Sequence, residues 1–153
     1  MNDPSPLQQR WYAALVAAVG VLLFVPRLGS FGFWDPYEIR VADAARIVST
    51  SNTWSTAPLL GKPPALVWMV AAGFHKLGVT ELGGRLPIAL GAVLVLLATY
   101  YAGAGLGRRR GALLGALALA TCPGFLLGAR QLTSNVPLLL GATLAVGGLG
   151  RAA

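Results

Sequence analysis

Residues 86–106 form a run without a single charged side chain, entered through Glu81 and Arg85 and closed by Gly107 and three consecutive arginines, Arg108 to Arg110. A helix of about 20 apolar residues is what the hydrocarbon core of a bilayer requires, so this run predicts a transmembrane helix. Shorter apolar runs surround it. The chain reads as an all-α polytopic membrane protein with spans over about 11–27, 86–106, 111–129 and 136–150. Surface helices are predicted over about 36–48 and 64–77. Composition agrees: 56% of residues are hydrophobic and 11% charged, against roughly 25% charged in a soluble domain. The first span is flanked by Arg10 and Arg27, and its exit, Val25-Pro26-Arg27-Leu28, lacks a small-x-small cleavage pattern, so it reads as a retained signal anchor. A bend or loosening is expected in the third span at Cys122-Pro123-Gly124.

The net charge is +7, but the basic residues punctuate apolar segments instead of forming a patch with interleaved aromatics. They therefore mark topology and not a nucleic-acid surface. Only about a dozen uncharged residues lie between Lys62 and His75, too few to span. That segment is expected to lie at the interface, with Leu66, Trp68, Met69 and Phe74 supplying its buried surface. On this reading Arg10, Arg108 to Arg110 and Arg151 fall on the cytoplasmic side of the membrane, together with the amino terminus. The loop over 27–85 and the turn over 130–135 then share the extracytoplasmic face. Cys122 is the single cysteine and reads as a buried, inert thiol. With a lone histidine, His75, and no paired ligand spacing, no metal site and no cofactor are expected. The pairs Gly111/Gly115 and Gly124/Gly128 match a helix-packing pattern.

The stretch over 33–48, FWDPYEIRVADAARIV, holds three of the five acidic residues. Asp35 has the place of a helix cap, Pro36 that of the first helical residue and Glu38 that of the third, the form of a capping box. Arg40, Asp43 and Arg46 recur every three residues and form one charged stripe, whereas Glu38 projects about 160° away from Arg40. A carboxylate beside cations at head-group depth suits a general base that deprotonates an acceptor hydroxyl while a cation steadies a phosphate leaving group. Lys62 is placed for that second role by the two prolines that stiffen the backbone after it, although an ordinary snorkelling lysine has the same appearance.

The order of these landmarks, WDPYEIRVADAARIV, then GKPPALVWMVAAGFHKLGVTELGGRLPIALGAV, then GRRRGALLGALALATCPGFLLGARQLTSNVPLLL, resembles the amino-terminal part of a GT-C membrane glycosyltransferase. The aminoarabinose-transferase-like and protein-mannosyltransferase-like groups are the most similar. The resemblance implies transfer of a sugar from a polyprenyl-phosphate donor to a lipid, glycan or protein acceptor at the extracytoplasmic face of a bacterial inner membrane. It implies an acidic base in the first long loop. Where the family carries an Asp-Glu pair this chain has Tyr37-Glu38, so Glu38 or the displaced Asp35 would serve as base. Lys62, in Lys62-Pro63-Pro64, inherits the phosphate contact, with Arg40 beside it. Arg130 and Asn135, in a turn that usually ends in Asp, would lie across the site, and Arg85-Leu86-Pro87 matches a structural Arg-Leu-Pro. Enzymes of this kind have several times as many spans, so the chain is expected to be a fragment without transfer activity of its own. The alternative is a non-catalytic membrane remnant or subunit that binds a polyprenyl lipid or partner helices.

Overall fold

The computed structural model describes residues 6–30, 32–33, 36–51, 54, 64–106 and 109–152. Among these there are seven helices and no strand: α1 (Pro6–Phe24), α2 (Pro36–Ser51), α3 (Ala65–Leu77), α4 (Glu81–Gly105), α5 (Arg109–Thr121), α6 (Pro123–Gly128) and α7 (Asn135–Ala152). Among the described residues, α4 and the Leu7–Phe24 part of α1 are long and apolar enough to cross a membrane; α3 and the apolar part of α7 are shorter.

Helix α4 is the axis, and α1, α3, α5 and α7 all pack on it. It begins five residues before the charge-free run because Thr80, extended at φ −134° and ψ 162°, accepts a hydrogen bond from the Gly83 N–H at 3.0 Å. Glu81 in the first turn adds a carboxylate where the helix dipole favours one. Thr80→Ala should therefore destabilise the chain by about 1 kcal/mol, read as a drop in the thermal midpoint of detergent-solubilised protein.

Most partners of α4 run against it, and α7 runs with it. Gly20 of α1 faces Val93 and Leu96, while the Tyr100 hydroxyl donates to the Gln9 carbonyl at 3.3 Å, so α1 and α4 are antiparallel. Gly103 meets Ala112, which turns α5 back antiparallel to α4. Gly91 meets Val136 and Ala102 meets Gly147, so α7 runs parallel to α4. Small residues at these crossings let the backbones approach without a void. They are not the expected pairs: Gly115 faces open space because α5 uses Ala112, Ala116 and Ala120 as its buried stripe, and in α6 Gly124 faces open space while Gly128 is buried.

The closest crossing is between α3 and α4. A side chain on Gly73 would collide with the Gly83 carbonyl and with Pro87. Pro87 lacks the N–H that would otherwise bond that carbonyl within the helix, so the oxygen is left facing α3, where only glycine makes room. Helix α3 also packs along α2. Leu66 and Phe74 are buried as expected, Met69 is half-buried, and Trp68 is exposed, its indole N–H donating to the Trp54 carbonyl at 3.0 Å.

At Cys122 the backbone turns extended, with ψ 121°, and Pro123 opens α6, so the expected bend is a complete interruption of the helix. The same break corrects the reading of the thiol. Cys122 is exposed, because the residue between two helices faces away from both of their buried stripes.

Candidate functional site: a buried ion pair at the start of the central helix

Pro36 is the first residue of α2, as its fixed φ favours. The apolar positions Val41, Ala44, Ala45 and Val48 give the helix one buried face. Arg40, Asp43 and Arg46 are exposed, and Arg46 Nη2 lies 2.8 Å from Asp43 Oδ1, a water-facing pair of small energetic weight. Arg40 Nε donates to the Pro36 carbonyl one turn back at 3.3 Å, leaving the rest of the guanidinium toward the surface.

Glu38 goes elsewhere. Its residue is 3% exposed, and both carboxylate oxygens are engaged: Oε2 accepts from Arg85 Nη2 at 2.8 Å and Oε1 accepts from the Leu132 backbone N–H at 2.9 Å. The capping role suggested by its position is thereby replaced by a tertiary one. Arg85, 5% exposed, also donates to the carbonyls of Leu28 at 3.2 Å and Gly32 at 3.1 Å, and its guanidinium carbon lies 5.1 Å from the centre of the Phe33 ring. One ion pair thus joins the chain leaving α1, the start of α2, the start of α4 and the turn before α7. A planar guanidinium with five fixed donors suits such divergent acceptors; a lysine does not.

Arg130 makes a parallel tie. Its Nη1 and Nη2 donate to the carbonyls of Leu23 at 3.0 Å and Pro26 at 2.8 Å, where the end of α1 leaves acceptors without helical partners. This holds the chain just before Arg27, which adopts a left-handed φ of 57°. Asn135 is the exposed first residue of α7. Next to it Ser134 Oγ lies 3.2 Å from the Tyr37 hydroxyl, a second link from α2 to this turn. From Ser134 an apolar groove of about 630 Å³ runs between the start of α3 and α7, with walls that include Leu66, Leu138, Ala142 and Ala145.

The structure therefore brings Glu38 against the 130–135 turn but commits Glu38 and Arg130 to internal hydrogen bonds. Arg40 and Asn135 remain at the surface. Asp35 and Lys62 lie outside the described residues. Among the described residues no cluster of His, Cys, Asp or Glu has the makings of a metal site. Sequence reasoning missed Arg85 as the partner of Glu38. A cation in the second turn of a long apolar helix was the available signal, since such a residue is paired far more often than not.

Among the described residues the structure is an all-helical bundle built on one long apolar helix, with a buried ion pair at the end where that helix starts; two of its helices are long and apolar enough to cross a membrane. The sequence profile of the dolichyl-phosphate-mannose-protein mannosyltransferase family matches residues 61–153, and the chain belongs to that family. The match begins at Gly61 and so leaves out α2. The chain is 30% identical over 96 residues to undecaprenyl phosphate-alpha-4-amino-4-deoxy-L-arabinose arabinosyl transferase 2 of Pseudomonas fluorescens, 60% of this chain and 18% of that relative. It is 32% identical over 92 residues to the corresponding transferase of Pseudomonas savastanoi pv. phaseolicola, 57% of this chain and 17% of the relative. The chain thus spans under a fifth of the length of these curated relatives. No solved structure matches it.

Proposed function

We propose that this chain contributes the amino-terminal part of a glycosyltransferase that moves a sugar from a polyprenyl-phosphate donor to an acceptor at the extracytoplasmic face of the bacterial inner membrane. The observation that carries the reading is the apolar groove that opens at Ser134, beside the polar end of α2. A prenyl chain fits an apolar groove of this kind, and a phosphate at its mouth would lie on the side of the bundle where Arg40 is exposed. Helices α1, α4, α5 with α6, and α7 cross the membrane. Their alternating directions support this, because they gather Arg10, Arg109 and Arg110 at the end opposite Glu38, Arg85 and Arg130. With both Glu38 oxygens engaged, Asp35 is the base, and Lys62 with Arg40 holds the donor phosphate. Asn135, beside Ser134 at the start of α7, completes the proposed site.

The test is transfer from a radiolabelled undecaprenyl-phosphate aminoarabinose donor in membranes that carry the full-length protein. Asp35→Asn and Lys62→Ala should each reduce transfer by about 10²-fold or more at unchanged protein level, the usual weight of a positioned base or an electrostatic contact. Wild-type rates in both variants would sink this site. The engagement of Glu38 by Arg85 and Leu132 would then favour a second reading, a non-catalytic subunit that keeps the fold to bind a polyprenyl lipid.

A further inference from the structure

We propose that Arg85 is a positioning residue. Through Glu38 and the carbonyls of Leu28 and Gly32 it sets where the start of α2, with Tyr37 and Arg40, stands over the mouth of the groove at Ser134. The inference rests on the reading of that face as the transfer site.

Three observations carry it. Helix α2 is held on its apolar side by alanines and valines, Val41, Ala44, Ala45 and Val48, whose smooth contact with α3 fixes a face more firmly than a register along the helix axis. Directional ties occur at its first turns: Glu38 to Arg85 and Leu132, and Tyr37 to Ser134. The residue at the centre of those ties belongs to α4, the helix on which α1, α3, α5 and α7 all pack, so α2 is referenced to the most constrained element of the fold. A buried ion pair is seldom a better source of stability than apolar side chains of the same size. What it supplies in addition is direction, and here its acceptors come from separate segments, at 2.8 Å, 3.1 Å and 3.2 Å. A displacement of α2 would move Arg40 with respect to the groove without opening the core.

The experiment compares the full-length protein in lipid nanodiscs with its Glu38→Gln/Arg85→Met double variant, which removes both charges together and keeps an acceptor for the Leu132 N–H. Spin labels on Arg46→Cys and Gln131→Cys, in a Cys122→Ser background, report the distance from α2 to the turn before α7. Transfer kinetics report kcat and the donor KM. The expected result is a shifted or broadened distance distribution together with a kcat per folded molecule about 10²-fold lower, the scale on which a misplacement of about 1 Å acts. Arg85→Lys, which retains the tie to Glu38 alone, should fall between the two. A purely structural role would lower the amount of folded protein and leave both readouts as in the wild type. Either readout unchanged in the double variant overturns the proposal. If the wild type transfers no sugar, the glycosyltransferase reading is what fails, and the label distances alone decide whether Arg85 places α2.

Discussion

Arg85→Leu is expected to destabilise the folded chain by about 3–5 kcal/mol, the largest effect of any single substitution in the bundle. The physical reason is the partner it abandons. Glu38 is 3% exposed and would keep one hydrogen bond, from the Leu132 N–H, with its charge no longer balanced by the guanidinium. The carbonyls of Leu28 and Gly32 would lose their donors in the same step, each a modest loss beside the unpaired charge. Adding Glu38→Gln to Arg85→Leu should recover most of the stability, because the charge that makes the single substitution severe is then gone. Denaturation of detergent-solubilised protein, followed by helix content, measures both. A single variant as stable as the wild type would show that water or a rearranged cation reaches Glu38, and the buried pair would no longer be the tie described here.

Gly73→Val should lower stability by about 3 kcal/mol and loosen α3 from α4. The added carbons have nowhere to go: the Gly83 carbonyl is backbone of the central helix and the Pro87 ring is closed onto that backbone, so neither yields as a flexible side chain would. Gly115→Ala is the matching control. That position is helical, exposed and open, so alanine should leave stability unchanged or raise it by up to about 1 kcal/mol. Thermal midpoints of the two variants, with cysteine cross-linking between α3 and α4, separate the cases. Equal midpoints would mean that the α3–α4 crossing is wider than it stands here.

Helical elements were legible in the sequence wherever composition alone decides them. The charge-free run announces α4, Pro36 announces the start of α2, and Cys122-Pro123 announces the interruption after α5. Each depends on a residue's own covalent chemistry or on local periodicity. What the sequence did not disclose depends on partners far away along the chain. Glu38 looks like a cap because residues three apart normally satisfy one another, yet its two oxygens are taken by groups 47 and 94 positions downstream. Arg130, expected across a substrate site, has acceptors at Leu23 and Pro26, more than a hundred positions upstream. Trp68 was expected to bury its ring because it is large and apolar, but the indole N–H found the Trp54 carbonyl at the surface. The glycines misled for the same reason: a G-x-x-x-G spacing says that a helix has a flat side, and not which helix meets it. The family to which residues 61–153 belong was legible from the order of several landmarks, each of them weak taken singly.

The spacing of the tie between Glu38 and Arg85 also governs when the fold can close. A ribosome working at about 5–20 residues per second presents Glu38 some 2–9 s before Arg85, and needs as long again to reach Leu132. Through that interval the carboxylate must stay hydrated, so the segment after α1 waits in water until its cation arrives. Closure of the fold therefore runs in a fixed sequence, with the arrival of the central helix as the event that fixes the earlier loop in place.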